Sequence, residues 1–205
     1  VSRFINEAKA AAALSHPNIV AVQDQGWNQS GVPAVFLVME LIEGHTLREY
    51  LNERGRFDIK DAINYLTPIL SALAAAHVLG IVHRDIKPAN ILMQGAKKPQ
   101  KEEMVLTSHH LGDTVAKITD FGLAKRFEGD SSLTHTGDII GTPLYMAPEV
   151  IAGRPATGLS DQFSFCVTLS EAIGSASGVP QRVKAAAQRG RSEDPSARFP
   201  SMAAL

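Results

Sequence analysis

The clearest pattern in the chain lies between residues 58 and 80, where apolar side chains recur every three or four positions, the period of an amphipathic helix. Asp58 is a good N-cap residue at its start, and Gly80 stands where a helix commonly ends in the left-handed conformation. Pro68, inside the pattern, predicts a kink. We expect one buried face, formed by Ile59, Ile63, Leu66, Leu70, Leu73 and His77.

Shorter patterns on either side predict a mixture of helices and strands. The alanine-rich stretch 2–14 predicts a helix that ends before Pro17, because proline disfavours helical geometry at the residue before it. Residues 94–113 carry no sustained apolar period and predict a polar hairpin extension. Strands are expected at 19–22, 34–39, 91–93 and 115–119, and further helices at 47–51, 159–173 and 179–189.

The composition limits the kinds of partner. The 205 residues carry 20 Lys and Arg against 21 Asp and Glu, so the net charge is −1 and we expect no capture of nucleic acid. The longest apolar run, 32–42, contains Glu40 and is too short to span a membrane, so we expect no membrane contact from this segment. The single cysteine, Cys166, is expected to be a buried hydrophobe. This cysteine usage fits a cytoplasmic location, with any membrane anchor outside the segment.

Residues 81–92, with the sequence IVHRDIKPANIL, crowd charged and polar side chains into one loop between apolar dipeptides. Asp85 and Asn90, together with Asp120 further along, supply the carboxylate and amide oxygens that Mg²⁺ prefers. A carboxylate that binds no metal can take the proton of an attacking hydroxyl, and Lys87 can offset charge on a phosphoryl group during transfer. The residues therefore predict phosphoryl transfer.

Three motifs occur in order: HRDIKPAN at 83–90, Asp-Phe-Gly at 120–122 and Ala-Pro-Glu at 147–149. In this order they closely resemble the protein kinase family, over nearly the whole chain. The resemblance implies an α+β fold, with a remnant of the small β lobe over 1–42 and a mostly helical large lobe over 43–205. Lys87 and the segment GTPLYMAPE resemble serine/threonine rather than tyrosine kinases. The sequences of the motifs are most like those of the eukaryotic-type kinases of bacteria.

The resemblance implies a role for each residue of the loop. Asp85 would be the catalytic base, and Lys87 would contact the transferring phosphate. Asn90 and Asp120 would hold Mg²⁺. ATP would be the phosphate donor, and a Ser or Thr hydroxyl of a protein substrate would be the acceptor.

The resemblance also implies a nucleotide-binding set. Glu7 would be the regulatory-helix glutamate that pairs with the ATP-binding lysine of the family. The stretch VFLVMELIEGHTL looks like the hinge, in which Met39 would be the gatekeeper. The backbone at Glu40 and Ile42 would bond the adenine, and Leu92 would pack beneath the adenine ring.

Four further residues are expected to be structural. His83 follows an apolar strand and is expected to pack and hydrogen-bond in the core rather than to move protons. By resemblance, Asp161 would anchor the catalytic loop from a buried helix, and Arg198 would pair with Glu149.

Kinases that resemble this arrangement are often switched by phosphorylation between Asp-Phe-Gly and Ala-Pro-Glu. Thr134 and Thr136 are the candidate acceptors, and Arg84 is the candidate partner of the added phosphate. An unmodified flexible loop is the alternative. Thr142, in GTPLY, would help to hold the substrate ledge.

The chain departs from the family pattern in three places. No glycine-rich loop or ATP-binding lysine precedes Glu7, the insertion 94–113 separates Asn90 from Asp120, and a docking helix is missing after 159–173. We therefore expect a partial domain that is inactive alone. The alternatives are a pseudokinase or truncated scaffold, and a small-molecule phosphotransferase, against which the Ala-Pro-Glu and GTPLY segments argue.

Overall fold

The structure is a computed structural model that describes residues 14–28, 34–95, 114–121, 143–174 and 178–205. Within these ranges the strands are β1 (Val22–Asn28), β2 (Ala34–Met39), β3 (Gly44–Thr46), β4 (Ile91–Gln94) and β5 (Val115–Ile118). The helices are α1 (Leu47–Arg54), α2 (Ile59–Val78), α3 (Pro148–Ile151), α4 (Gly158–Ile173) and α5 (Gln181–Gly190). Short 3₁₀ turns cover Pro88–Asn90, Pro143–Tyr145, Pro195–Ala197 and Met202–Ala204. The mixture agrees with the α+β class.

The strands form two antiparallel sheets, one of β1 and β2 and one in the order β3–β4–β5. The strand predicted at 19–22 begins later than expected, since β1 starts at Val22. Ile19 is buried and makes a single parallel bridge to Ile118 of β5, and Val20 N donates to the Ile118 carbonyl at 2.9 Å. Burial against β5 thus draws this segment away from the hairpin with β2.

Strand β3 was not predicted from the sequence. Gly44 pairs with Gln94 in β4. A Cβ on Gly44 would lie 2.1 Å from the Met93 carbonyl oxygen, so this close pairing requires glycine. Gln94, the first residue of the predicted insertion, belongs to β4 and pairs with Val115, so β4 and β5 are antiparallel neighbours on either side of the insertion.

Helix α2 begins and ends as predicted. The Asp58 side chain accepts a hydrogen bond from Asp61 N at 2.8 Å, and Gly80 has a φ of 72°. The buried face is rotated from the predicted one, and Ile63 is 50% exposed. Small residues let α2 approach β5 and α4 closely. The buried side chains of α2 are Ala62, Tyr65, Leu66, Ile69, Ala72, Leu73 and Ala76.

Helix α4 runs through the core and agrees with the predicted 159–173. Cys166 is fully buried, as expected, and burial raises the pKa of its thiol to about 12. Helix α5 starts two residues later than predicted, because Pro180 stands at its N-cap position. Every helix in the described part of the chain is too short or too polar to cross a bilayer.

Candidate active site

The loop between α2 and β4 is held by one carboxylate from the core helix α4. Asp161 Oδ2 accepts from His83 N at 2.7 Å, and Asp161 Oδ1 accepts from Arg84 N at 2.8 Å. His77 Nε2 lies 2.8 Å from Asp161 Oδ2. Arg84 has a φ of 71°, a costly conformation for a side chain with a Cβ, and the two backbone bonds to Asp161 hold it there. Asp161 therefore lies where an anchor of this loop is needed.

His83 packs in the core, as the sequence suggested. Its side chain is fully buried, its Nε2 lies 2.9 Å from the Thr119 carbonyl, and its ring centroid lies 4.6 Å from that of Phe121. Burial lowers the pKa of His83, and this effect is larger than the rise that the nearby carboxylate of Asp161 causes. A neutral imidazole thus joins the loop to the strand end that leads to Asp120.

Asp85, Lys87 and Asn90 meet in space as well as in sequence. Lys87 Nζ lies 2.8 Å from Asp85 Oδ2, and Asn90 Nδ2 donates to Asp85 O at 2.8 Å and to Asp85 Oδ2 at 3.1 Å. The 3₁₀ turn Pro88–Asn90 folds Asn90 back towards Asp85. A carboxylate is thereby fixed between an ammonium and an amide in one short loop.

Asp120 lies just after β5, at the exposed edge of this loop. Thr119 N donates to the Asn90 carbonyl at 3.0 Å, which joins the backbone before Asp120 to the backbone of Asn90. Asp120 has a φ of 61°, an uncommon value for a residue other than glycine. The next side chain, Phe121, is buried against His83. In the described residues, His, Cys, Asp and Glu side chains nowhere form a group of three that could hold a metal ion.

The predicted hinge stretch, 35–47, includes most of β2 and all of β3, and the hinge itself is the segment 40–43 between them. Met39, expected at the cleft as gatekeeper, is 40% exposed. The Glu40 carboxylate accepts hydrogen bonds from Lys117 Nζ at 2.7 and 2.9 Å and from Ala21 N at 2.8 Å. The hydrogen bond from Lys117 holds the pKa of Glu40 below its ordinary value. Ile42 is partly buried in the segment that leads to β3.

Leu92 lies on the strand pair beside the hinge. It is directly opposite Lys117 in the antiparallel register of β4 and β5. Directly opposed residues share one face of a sheet, so Leu92 is on the same face as the ammonium that contacts Glu40. Its neighbours Ile91 and Met93 point to the core and are fully buried.

A second polar cluster was not anticipated from the sequence. Arg48 of α1 contacts Glu171 of α4 at 2.6 Å, and the Tyr145 hydroxyl hydrogen-bonds to both side chains. Ser164 Oγ donates to the Tyr145 carbonyl at 2.7 Å. The cluster ties the 3₁₀ turn before Ala-Pro-Glu to α1 and α4. No local pattern could have revealed it, because Arg48 and Tyr145 are 97 residues apart.

The predicted pair of Glu149 and Arg198 is present and buried. Arg198 Nη1 lies 2.7 Å from Glu149 Oε1, and Nη2 lies 2.8 Å from Oε2. Arg198 Nη1 also donates to the Leu159 carbonyl at 2.9 Å. The bidentate pair joins α3 to the start of α4 and to the end of the chain.

Several predicted positions lie outside the described residues, and their roles stay predictions. They are Glu7, Thr134, Thr136, Thr142, Gly122 and residues 96–113 of the insertion. Of the helix expected over 2–14, Leu14 alone is described, and it is buried.

A helical body, a strand that leads into the hinge and an Asp–Lys–Asn loop anchored from a core helix form the arrangement expected of a protein kinase domain. The family model described as "Protein kinase domain" matches residues 2–194, and the chain belongs to this family. The chain is 38% identical over 173 residues to the serine/threonine-protein kinase PrkC of Bacillus subtilis. It is 41% identical over 173 residues to the serine/threonine-protein kinase PknL of Mycobacterium tuberculosis. The resemblance to bacterial eukaryotic-type serine/threonine kinases is therefore confirmed.

These alignments cover 84% of the chain but only 24% of PrkC and 38% of PknL, so the chain spans a minor part of each relative. The kinase domain of Mycobacterium tuberculosis PknI has the same fold, with a TM-score of 0.69, 23% identity and coverage of 98% of this chain and 74% of that chain. A structure of Rad53 in complex with AMP-PNP aligns with a TM-score of 0.72 and 23% identity, covering 100% of this chain and 53% of that one. The likeness confirms the kinase fold.

Proposed function

We propose that this chain is part of the catalytic domain of a serine/threonine protein kinase, which transfers the γ-phosphate of ATP to Ser or Thr hydroxyls of proteins. The observation that carries the proposal is the convergence of Asp85, Lys87 and Asn90, with contacts of 2.8 and 3.1 Å at Asp85 Oδ2. Family membership and the serine/threonine kinases among the relatives support the same reaction.

Asp85 is the base in this proposal. The contacts from Lys87 and Asn90 orient its carboxylate, so that it can accept the proton of a substrate hydroxyl placed at the loop. Lys87, already beside this carboxylate, offsets negative charge on the phosphoryl group during transfer. Asp161 acts through the loop backbone and is a positioning residue.

Asn90 and Asp120 would hold Mg²⁺. Their amide and carboxylate oxygens suit this ion, which usually takes one or two protein ligands and completes its shell with phosphates and water. When bound, Mg²⁺ neutralises charge that develops on the phosphates. The hydrogen bond from Thr119 N to the Asn90 carbonyl, which joins the backbones next to the two side chains, supports this assignment.

The hinge would bind the adenine. Glu40 N already donates to the Ala21 carbonyl at 2.9 Å, so we assign the Glu40 carbonyl and the backbone of Ile42 to the adenine edge. Leu92 would lie beneath the ring, Met39 would border the pocket, and Glu7 would pair with a phosphate-binding lysine.

The remaining proposals concern regulation and completeness. Thr134 and Thr136 would be phosphorylated, and Arg84 would pair with the added phosphate. Thr142 would support the substrate ledge. Residues 1–205 taken alone would be inactive, because they contain no glycine-rich loop with an ATP-binding lysine to hold the phosphates, and misplaced phosphates can cost about a hundredfold in rate.

The test is Asp85→Asn in the full-length protein, which keeps the shape of the side chain and removes the base. We expect phosphate transfer from radiolabelled ATP to fall at least about a hundredfold, the usual contribution of a general base, with nucleotide binding retained. Asp24→Asn, the same change at an exposed position of β1, is the matched control.

Near-normal turnover by Asp85→Asn would contradict the assignment of the base. A wild-type protein that binds ATP but transfers no phosphate would favour the pseudokinase alternative. Transfer to a small molecule and to no protein would favour the phosphotransferase alternative.

A further inference from the structure

The carboxylate of Glu40 joins three separate segments of the chain. Lys117 Nζ lies 2.7 Å from one of its oxygens and 2.9 Å from the other, and Ala21 N donates to Oε1 at 2.8 Å. The backbone of Glu40 makes a reciprocal contact, because Glu40 N donates to the Ala21 carbonyl at 2.9 Å. The residue before β1, the hinge and β5 therefore meet at one side chain.

The hinge has few other supports. Its backbone between β2 and β3 forms no helix or strand, and Leu41 within it is 86% exposed. At its far end, Gly95 N donates to the Glu43 carbonyl at 2.9 Å. The position of the hinge backbone thus depends on the contacts of Glu40 at one end and of Glu43 at the other.

Lys117 links this hinge to the part of the site that carries the carboxylates. It lies on β5 three residues before Asp120, and it opposes Leu92 in β4. The exposed fractions of the Lys117 and Glu40 side chains are only 14% and 24%, so solvent screens the pair less than an ordinary surface ion pair. This ion pair therefore joins the hinge to the strand that leads to Asp120.

We propose that Lys117 is a positioning residue for the nucleotide, which holds Glu40 so that the hinge backbone faces the adenine. The inference rests on the proposed kinase function and deepens it. Lys117 would touch neither ATP nor substrate. Its loss would therefore weaken nucleotide binding, whereas the chemistry at Asp85 would proceed once ATP is bound.

The test uses Lys117→Met in the full-length protein, because methionine keeps much of the apolar stem and removes the charge. We expect the dissociation constant of a fluorescent ADP analogue and the KM for ATP to rise about tenfold, with kcat changed by less than about twofold. Lys117→Arg, which retains a charge within reach of Glu40, should restore most of the affinity.

A double-mutant cycle isolates the pair. Glu40→Gln keeps an acceptor for Ala21 N but removes the charge that Lys117 contacts. If the ion pair carries the effect, Glu40→Gln should match Lys117→Met, and the double variant should be no weaker than either single variant.

Each outcome decides between explanations. A wild-type protein that neither binds nucleotide nor transfers phosphate would overturn the proposed function itself. If the wild-type protein is active and Lys117→Met binds nucleotide with unchanged affinity, the role of Lys117 alone would be overturned. Additive effects in the cycle would overturn it as well. A parallel fall of kcat and melting temperature with unchanged KM would mean a structural role only.

Discussion

At the scale of single residues, Asp161 shows how a buried charge shapes the candidate site. Its exposed fraction is 1%, and its two oxygens accept from two consecutive backbone N–H groups as well as facing His77. A buried carboxylate is tolerated only when its oxygens are satisfied in this way. The same bonds hold Arg84 at positive φ and so direct the loop towards Asp85.

Replacing Asp161 with Asn should loosen this loop. Asparagine offers one acceptor oxygen, so one of the backbone N–H groups of His83 and Arg84 would face a donor, at a cost of about 1–3 kcal/mol. We expect a lower free energy of unfolding in urea and a fall in kcat larger than the loss of nucleotide affinity. Asp58→Asn is the matched control, because asparagine caps a helix about as well as aspartate. Unchanged stability and kcat in Asp161→Asn would contradict the anchoring role.

At the scale of elements, the packing of α4 on α5 depends on one small residue. A Cβ on Gly190 would lie 2.3 Å from Cys166 Sγ and 3.3 Å from Cys166 Cβ. Because Cys166 is fully buried in α4, its sulfur has little room to move away. The helices approach this closely only because residue 190 has no side chain.

Gly190→Ala should therefore destabilise the fold, although alanine favours helices. We expect a loss of about 1–3 kcal/mol from overpacking, measured by urea unfolding. Removing the Cys166 sulfur should relieve part of this overpacking. We therefore expect Gly190→Ala to lower the free energy of unfolding less in the Cys166→Ala background than in the wild type. Gly178→Ala is the control, since nothing lies within 4 Å of its added Cβ. A stabilised Gly190→Ala variant would show that the helices separate at no cost.

At the scale of the whole molecule, three paired carboxylates join distant parts of the fold. The pairs are Glu40 with Lys117, Glu149 with Arg198, and Glu171 with Arg48. The hydrogen bond from Lys117 lowers the pKa of Glu40. Burial alone would raise the pKa values of Glu149 and Glu171, but their arginine partners outweigh it, and both pKa values lie below the ordinary 4.5. Each pair thus favours the ionised form in the folded state.

These shifts predict a loss of stability on the acid side. Below pH 4.5 the unfolded chain takes up protons that the folded carboxylates still exclude, so the free energy of unfolding falls with pH until the folded groups titrate. His83 contributes a further loss of stability that begins as the pH falls below 6.5. Its pKa in the folded state lies below that value, so the unfolded chain binds this proton more readily. Stability should therefore be highest above about pH 6.5 and fall as the solution is acidified.

Urea unfolding between about pH 3 and about pH 7 would measure this dependence. Glu149→Gln should be less stable than the wild type at neutral pH, by about 3–5 kcal/mol if Arg198 is left buried without its carboxylate. It should also lose less stability between the upper and lower ends of the range. A variant with the same pH dependence as the wild type would show that Glu149 does not contribute to it.

The sequence by itself determined the local features of this protein. Asp58 and Gly80 marked the ends of α2 because capping depends on neighbouring backbone groups. The loop with Asp85, Lys87 and Asn90 could be recognised because all three side chains lie within six consecutive residues. The family resemblance supplied the pair of Glu149 and Arg198, which spacing alone would not have suggested.

The tertiary structure alone decided what depends on contacts between distant segments. The face that α2 buries follows from where β5 and α4 lie, and small alanines on that face allow a closer approach than the predicted Ile63 and Leu70. Strand β3, which the sequence analysis did not predict, is a strand because it pairs with β4. The contact between Glu40 and Lys117 joins residues that are 77 positions apart. Periodicity and local propensity act over a few residues, whereas this pairing exists only once the chain has folded.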